Sequence, residues 1–155
     1  MSSIANLLSE NSEHYRLFKI AGELGEKLNT STFLVGGYVR DLLMNRSATD
    51  IDILVEKDGI GFAESLSKII KADGFVSFEK FGTAQMIKDK LKIEVATART
   101  ESYSPNSRKP KVTFTNIKED LSRRDFTVNA IAVSILQDDF GNVYDPFGGI
   151  KDLQK

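Results

Sequence analysis

The sequence predicts an α+β domain built around a mixed or antiparallel β-sheet. Three observations support this fold class. Apolar residues recur at helical spacing in several stretches, and short strand-like runs lie between these stretches. The order of the two patterns is neither a regular β-α-β alternation nor all strand. The chain has 155 residues, which allows one domain with a normal core and little more.

The composition limits what kind of protein this is. The net charge is −1, so no overall basic field attracts nucleic acid, and any contact with a polyanion must come from a local patch. The chain has no cysteine, which excludes a disulfide scaffold and thiolate metal sites. The first residues lack the pattern of a signal peptide, and no apolar run reaches the length of a membrane span. We therefore expect a cytoplasmic protein with no membrane partner.

The first half of the chain predicts alternating helices and strands. Apolar residues at helical spacing predict three helices, over residues 17–28, 38–45 and 62–70. Two strands are predicted between them, over residues 33–35 and 50–56. The first helix should end near Asn29, and Asp73-Gly74 should close the third. The first strand leads directly into Gly36-Gly37.

The second half predicts a group of short strands followed by a helix. Three strand-like runs cover residues 75–81, 84–88 and 91–96, and Asp89-Lys90 is a plausible tight turn between the last two. Residues 97–111 have no apolar periodicity, two prolines and four basic residues, and predict a long polar loop. A short helix over 117–123, a strand over 131–136 and two turns complete the order, the turns at 138–142 and 145–149.

Asp50 and Asp52 both lie on the predicted strand 50–56. Side chains on a strand alternate between its two faces, so the apolar residues face a core while both aspartates face the other way. Adjacent carboxylates repel and raise each other's pKa unless a cation lies between them. A hard divalent cation, most simply Mg²⁺, fits such a pair. The alternative is two solvated aspartates on an outward face, which is the commoner meaning of an isolated Asp-x-Asp.

Gly36-Gly37 lies between a buried strand and a helix, with Arg40 one helical turn later. A backbone without Cβ atoms can approach a ligand closely, and free amides at a helix start attract anions. An arginine fork matches phosphate oxygens well. This step therefore predicts a phosphate site beside the two aspartates. The alternatives are a tight turn for the glycines and a surface ion pair between Arg40 and Asp41.

Glu94 is a third acidic candidate. It lies among β-branched residues on the predicted strand 91–96, and a buried carboxylate there needs a partner. It could therefore contribute to a metal site. The alternative is a glutamate on an edge strand that pairs with Lys92.

A second dense polar cluster covers residues 123–129. Arg123 and Arg124 offer a phosphate clamp, and the Asp, Thr and Asn that follow suit sugar hydroxyls. The alternative is a helix end with basic residues, followed by Asp125 or Thr127 as the cap of the next helix. Both interpretations are compatible, because a capped helix start is also an anion site.

Two other features are interpreted as structural. His14, the only histidine, lies in a segment that we expect to be exposed, so a histidine nucleophile or zinc site is not expected. The phenylalanines at 75, 78 and 81 are interpreted as core residues rather than as a platform for stacking bases, on the general tendency of Phe to be buried.

Five ordered blocks resemble a known family. They are Phe-Leu-Val-Gly-Gly-Tyr-Val-Arg-Asp-Leu-Leu, Asp-Ile-Asp-Ile, Ile-Glu-Val-Ala-Thr-Ala-Arg-Thr-Glu, Leu-Ser-Arg-Arg-Asp-Phe-Thr-Val-Asn-Ala-Ile-Ala and Asp-Pro-Phe-Gly-Gly-Ile-Lys-Asp-Leu. Together they resemble the catalytic head of bacterial class II tRNA nucleotidyltransferases and the related poly(A) polymerases, in the polymerase β-like nucleotidyltransferase superfamily. The match covers residues 33–153. It implies an α+β head with a mixed, mostly antiparallel sheet flanked by helices.

The resemblance also implies a role for each matching residue. Asp50 and Asp52 would hold two Mg²⁺ ions, and Glu94 would be the third carboxylate. The incoming ATP or CTP would be bound by residues of the two polar clusters: Gly36, Gly37, Arg40, Arg124, Asp125 and Asn129. Asp125 and Asn129 would lie near the ribose. Residues 99–111 would correspond to the family's flexible loop near the active site.

The implied reaction is metal-dependent transfer of a nucleotide to the 3′ end of tRNA. The terminal hydroxyl attacks the α-phosphorus in line and pyrophosphate leaves, with no covalent enzyme intermediate. Residues 1–155 would form the head domain alone, without the neck, body and tail domains in which the family selects the base and grips most of the tRNA. The head alone is therefore expected to have little or no activity and to discriminate CTP from ATP poorly.

Three alternatives stay open at this point. A poly(A) polymerase head shares these blocks. A small-molecule nucleotidyltransferase is disfavoured by the Arg-Arg-Asp-Phe-Thr block, and an inactive nucleotide-binding domain is disfavoured by the retained acidic and basic residues. The sequence does not distinguish addition of CCA, CC or A, and it does not predict the oligomeric state.

Overall fold

The computed structural model describes residues 3–103 and 110–154 of the chain. The helices are α1 (Ala5–Leu8), α2 (Ser12–Lys27), α3 (Gly36–Leu43), α4 (Gly59–Ile70), α5 (Ile117–Ser122) and α6 (Gly149–Leu153). The strands are β1 (Thr32–Val35), β2 (Asp50–Val55), β3 (Gly74–Phe78), β4 (Thr83–Lys88), β5 (Leu91–Thr97), β6 (Arg99–Tyr103), β7 (Pro110–Phe114), β8 (Ala132–Ser134) and β9 (Val143–Tyr144). Within the described ranges, no helix is both long and apolar enough to cross a membrane.

Seven of these strands form one sheet, in the order β3-β4-β5-β2-β1-β8-β9. The pair β2–β5 is parallel, and the other pairs in this sheet are antiparallel. The predicted α+β class and the mixed, mostly antiparallel sheet are therefore confirmed. Parallel neighbours need a long connection, and here the connection contains α4, β3 and β4.

One face of the sheet carries the main core. Apolar residues at alternate positions of the central strands, such as Ile51, Ile53 and Ile93, are almost fully buried there. They belong to one cluster with Phe18 of α2 and Phe62 of α4. The amphipathic pattern of the two longest helices is explained by this contact, since each must bury one side against the strands.

The opposite face is only partly covered. A smaller cluster, which includes Phe33, Leu54, Leu121 and Ala132, lies where α5 packs against the sheet. Leu54 shares its face of β2 with Asp50 and Asp52, because the three residues are spaced by two. The remainder of this face, around the first residues of β2, is open and carries the candidate site.

The turns follow the chemistry of their residues. Asp89 and Lys90 both have positive φ, 49° and 71°, and connect β4 to β5 as the predicted tight turn. The end of α4 differs from the prediction. Lys71 adopts the left-handed conformation with φ of 56° and ends the helix before Asp73-Gly74 is reached.

The predicted long polar loop over 97–111 is wrong for the residues that the structure describes. Arg99–Tyr103 and Pro110–Phe114 pair as an antiparallel hairpin, while residues 104–109 lie outside the described ranges. A two-stranded hairpin does not need one apolar face, so it leaves no period-two apolar pattern to detect. Its backbone hydrogen bonds form between strands whatever the side chains are.

Two predicted burials are also wrong. His14 is half-buried rather than a surface residue, since Asn11 caps α2 and His14 then lies against Phe18 and Tyr38. Burial lowers the pKa of His14, and its Nδ1 lies 3.0 Å from the Tyr38 hydroxyl.

The three phenylalanines predicted to be core residues are exposed. Phe75 and Phe78 are 40% and 43% exposed and lie on β3, the edge strand of the sheet. Phe81 is 37% exposed in a 3₁₀ turn over Glu79–Phe81, where the sequence had predicted that the strand continues. An edge strand has a neighbour on one side only, so its residues are covered less than their type would suggest.

Candidate active site

The parallel pairing of β2 with β5 brings the acidic candidates together. Asp52 is directly opposite Glu94, and Asp50 is opposite Lys92. Opposite residues of paired strands share a face, so three carboxylates and one ammonium group lie on the same open surface. The edge-strand alternative for Glu94 is wrong, because β5 lies between β2 and β4. Its carboxylate accepts a hydrogen bond from the Gln85 side chain at 3.2 Å.

Asp52 has a raised pKa. Burial, the largest cause, acts together with the negative charges of Glu94 and Asp50 and raises its pKa to about 6, against the opposing effect of Arg124 and Lys92. The site therefore holds more negative charge than its surroundings neutralise. A divalent cation at Asp50 and Asp52 would relieve this imbalance.

Gly36 lies close to the Asp52 carboxylate. It begins α3 with φ of +68°, a region that favours glycine. A Cβ atom placed on Gly36 would lie 3.3 Å from Asp52 Oδ2 and 3.8 Å from Arg124 Nη1. At Gly37 the same atom would lie 3.3 Å from Arg40 Nη2. A side chain at either glycine would therefore crowd an aspartate or an arginine, so this step needs residues without a Cβ atom.

Replacing Gly36 with alanine should weaken the site. The positive φ costs about 1–2 kcal/mol for a residue with a Cβ atom, and the methyl group would press on Asp52. We expect a loss of about 1–2 kcal/mol in the free energy of unfolding and about tenfold weaker binding of MgATP. Thermal melts and calorimetric titration measure the two effects. Gly74→Ala is the matched control, because a Cβ atom there meets nothing within 4 Å; equal losses in both variants would contradict the prediction.

Two arginines converge on Asn129 beside the glycines. Arg40 Nη1 donates to Asn129 Oδ1 at 3.2 Å, and Arg124 Nη1 donates to the Asn129 carbonyl at 3.3 Å. Arg40 also donates from Nε to Asp41 Oδ1 at 3.2 Å, so the ion pair considered as an alternative exists together with the predicted cluster. Both guanidinium groups retain donors for an anion.

Asp120 holds the second arginine in place. This carboxylate is fully buried, and its Oδ1 accepts from Nη2 and Nε of Arg124 at 3.2 and 3.3 Å. Its Oδ2 accepts from the Arg99 backbone N–H at 2.7 Å and from Arg123 Nη2 at 3.4 Å. Arg123 Nε in turn donates to the Arg99 carbonyl at 3.0 Å. Asp120 thus connects the start of the β6–β7 hairpin to Arg124.

Asp120 is not among the predicted site residues, although the sequence contains a signal for it. Asp120 precedes Arg123 by three residues and Arg124 by four, which are the spacings at which side chains on one helix meet. The predicted helix over 117–123 was therefore sufficient to place this carboxylate beside both arginines.

One predicted site residue is not brought into the cluster. Asp125 lies in an exposed bend after α5. The alternative that Asp125 or Thr127 caps the next helix is also wrong: the 3₁₀ turn Thr127–Asn129 has no side-chain cap, and the Thr127 hydroxyl instead bonds to Asp152.

The donor set suits a hard divalent cation that the substrate helps to hold. Among the described residues, no three His, Cys, Asp or Glu side chains converge as a complete metal site. Magnesium is usually bound by one or two carboxylates together with water and substrate phosphates. Asp50 and Asp52 fit this arrangement.

The sequence profile of the poly(A) polymerase head domain matches residues 32–155. The chain is 42% identical over 135 residues to the A-adding tRNA nucleotidyltransferase of Geobacter sulfurreducens, which covers 86% of this chain and 15% of that protein. It is 39% identical over 141 residues to the CCA-adding enzyme of Enterococcus faecalis, covering 88% of this chain and 32% of that protein. The chain therefore spans a third or less of the length of these relatives.

Solved structures show the same fold. An apo CCA-adding enzyme superposes with a TM-score of 0.88 at 39% identity, over 98% of this chain and 36% of that one. A CCA-adding enzyme in complex with ATP superposes with a TM-score of 0.84 at 36% identity, over 98% of this chain and 35% of that one.

Proposed function

Because the chain belongs to the family of the poly(A) polymerase head domain, we propose that it is the catalytic head of a tRNA nucleotidyltransferase. The reaction is transfer of a nucleotide from ATP or CTP to the 3′ end of tRNA, as in CCA addition or repair. One observation carries the proposal: the β2–β5 register places Asp52 beside Glu94, on the face where Gly36 and Arg124 meet Asp52. The names of the similar proteins, A-adding and CCA-adding enzymes, support this choice of reaction.

The proposed head domain comprises residues 1–155. The matched region makes up 15% and 32% of the two relatives, so in this proposal base selection and most of the contact with tRNA belong to parts of such proteins outside the matched region. The near-neutral charge of the chain agrees with this division, because tight RNA binding needs several cationic contacts.

We assign the acidic residues to the metal and the reacting hydroxyl. Asp50 and Asp52 hold the divalent cation, which we propose to be Mg²⁺, and Glu94 adds negative charge next to them. When bound there, Mg²⁺ would neutralise charge at the phosphates and would lower the pKa of the terminal 3′-hydroxyl of the primer. The hydroxyl oxygen forms a bond to the α-phosphorus while the bond to the pyrophosphate oxygen breaks.

The basic cluster binds the triphosphate. The amides of Gly36 and Gly37 meet its oxygens, and Arg40 and Arg124 neutralise its charge and that of the departing pyrophosphate. Asn129 fixes both guanidinium groups and lies near the ribose. Asp125 is exposed and directly follows Arg124 in the sequence. We assign it to the ribose as well.

Calorimetric titration with ATP and CTP tests the proposal. Binding of both nucleotides should need Mg²⁺ and should weaken at least about tenfold when EDTA replaces it, because the carboxylates then repel the phosphates. The two nucleotides should bind with similar affinity. Asp89→Asn, a charge change in an exposed turn, should leave binding unchanged. Metal-independent binding, or strong preference for one base, would contradict the assignment.

A second candidate function is AMP addition to RNA 3′ ends, which the description of the matching family favours. The protein that contains this head separates the two when it is given a tRNA that lacks its CCA end and an unrelated RNA with ATP and CTP. Addition of CMP to the tRNA supports the first function. Addition of AMP to both RNAs supports the second.

A further inference from the structure

The first turn of α3 carries the proposed phosphate site but has few groups of its own to hold it. Its first two residues, Gly36 and Gly37, have no side chains that could pack against the rest of the domain. Val35 precedes the helix, and no side chain caps it. The amides of a first helical turn also lack partners within their own helix. The first side chain that can fix the direction of this turn is therefore that of Tyr38.

Tyr38 packs into a cluster of three rings. It is 4% exposed, and its ring meets that of Phe18 edge-on, with the two ring centroids 5.5 Å apart. The centroid of the His14 ring lies 5.8 Å from that of Tyr38 and 6.3 Å from that of Phe18. His14 and Phe18 both belong to α2. The three rings therefore join α2 to the start of α3.

A hydrogen bond gives this contact a defined geometry. The Tyr38 hydroxyl lies 3.0 Å from Nδ1 of His14, its one hydrogen-bond partner within residues 3–103 and 110–154. A tyrosine hydroxyl that is buried usually has such a partner. Burial raises the pKa of Tyr38 to about 12. Burial also lowers the pKa of His14, against the opposing effect of Glu13, so at pH 7.5 the bond joins two uncharged groups.

The first turn of α3 faces the site on one side and α2 on the other. Successive residues of a helix point about 100° apart. Positions 36 and 37 face Asp52 and the two arginines, whereas Tyr38 faces the rings of α2. A rotation of α3 would move the Gly36 and Gly37 amides relative to a bound phosphate. Displacements of about 1 Å at a site can cost about 100-fold in rate, so the direction of this turn matters for binding.

We propose that the hydrogen bond between His14 and Tyr38 positions the first turn of α3 for the triphosphate. The inference rests on the proposed function and adds two positioning residues to its phosphate site. Both act through the backbone of α3 rather than by contact with the nucleotide. His14, which the sequence predicts to be a surface residue, thus influences the site from α2, 24 residues before Tyr38.

Tyr38→Phe tests the proposal, because it removes the hydroxyl and keeps the ring. Calorimetric titration with MgATP, and with inorganic triphosphate in Mg²⁺, should show about fivefold weaker binding of both ligands, equivalent to about 1 kcal/mol for one hydrogen bond. Tyr15→Phe is the matched control. Tyr15 is another partly buried tyrosine, and its ring packs against Phe140 instead. This control should bind both ligands as the unmodified chain does.

A double variant separates positioning from stability. His14→Leu alone leaves the buried Tyr38 hydroxyl without its partner and should lower the midpoint of denaturant unfolding. In His14→Leu combined with Tyr38→Phe both polar groups are absent, so this midpoint should return towards that of the unmodified chain. The affinity for MgATP should nevertheless stay about fivefold lower, because the hydrogen bond is still missing.

The outcomes distinguish this inference from the proposed function. Weaker binding of both ligands in Tyr38→Phe and in the double variant, with normal binding in Tyr15→Phe, supports the proposal. Normal MgATP binding in Tyr38→Phe overturns it, and so does recovery of affinity together with stability in the double variant, since the pair would then serve packing alone. Equal losses in Tyr15→Phe, or a loss for MgATP without a loss for inorganic triphosphate, also overturn it. If the unmodified chain binds neither ligand, the proposed function fails and the inference fails with it.

Discussion

Replacing Asp52 with asparagine should abolish the proposed nucleotidyl transfer by the protein that contains this head, and it should also make the metal-free chain more stable at pH 7.5. Catalysis should fall about a thousandfold or more, because a metal ligand worth several kcal/mol to the transition state is lost. The gain in stability arises because Asp52 is half-buried near Glu94 and Asp50, where a negative charge is disfavoured. Asparagine has the same shape without the charge.

The pH dependence of this gain follows from the direction of the pKa shift. The pKa of Asp52 is raised from 3.8 to about 6 in the folded protein, so folding favours the protonated carboxyl. The stability that the protonated carboxyl contributes is fully present below about pH 4 and is lost as the pH rises through 6. The free energy of unfolding of the variant should therefore exceed that of the unmodified protein by about 1–2 kcal/mol at pH 7.5. This difference should disappear near pH 4.

Thermal melts in EDTA across this pH range measure the effect. About 1–2 kcal/mol corresponds to an increase of about 2–6 °C in Tm for a domain of this size. Added Mg²⁺ should raise the Tm of the unmodified protein and leave that of Asp52→Asn almost unchanged. Asp89→Asn again removes one negative charge from an exposed position. It should change neither the Tm in EDTA nor the increase in Tm that Mg²⁺ causes. A destabilised Asp52→Asn variant at pH 7.5 would contradict this account.

Replacing Asp120 with asparagine should cost both stability and nucleotide binding. The carboxylate is fully buried and interacts with two guanidinium groups and one backbone N–H. Removing its charge leaves Arg123 and Arg124 without their buried counter-ion, and breaking such a pair costs about 3–5 kcal/mol. Asparagine keeps one acceptor oxygen, so we expect about 2–4 kcal/mol. MgATP affinity should fall about tenfold because Arg124 is no longer held towards Asn129.

Glu119→Gln is the control for Asp120, since it removes a carboxylate from the neighbouring, exposed position of the same helix. It should change the free energy of unfolding by less than about 0.5 kcal/mol. Denaturant unfolding gives the stabilities, and MgATP titration gives the affinities. If Asp120→Asn lost stability but kept full MgATP affinity, Asp120 would serve the packing of α5 only.

Local pattern predicted much of this molecule. The strand 50–56 and the shared face of Asp50 and Asp52 follow from period-two alternation, and the structure agrees. Helices α2, α3 and α4 follow from apolar spacing in the same way. Such features depend on residues only a few positions apart, so a short stretch of sequence is enough to predict them.

Other features depend on residues far apart in the chain. That Glu94 lies opposite Asp52 follows from the pairing of β2 with β5, and no local pattern fixes which strands become neighbours. The exposure of Phe78 has the same cause, because it reflects the position of β3 at the edge of the sheet. Asp120 differs from both, because its partners Arg123 and Arg124 lie three and four residues later on the same predicted helix.

The parallel pairing of β2 with β5 also affects how the protein folds. Asp52 and Glu94 lie on neighbouring strands that are separated in the sequence by α4, β3 and β4. Contacts between distant parts of a chain pay loop-closure entropy first and therefore form late. A partly folded chain can contain the local Asp50–Asp52 pair without Glu94 beside it, and native-like catalytic geometry should appear only with the last cooperative step of folding.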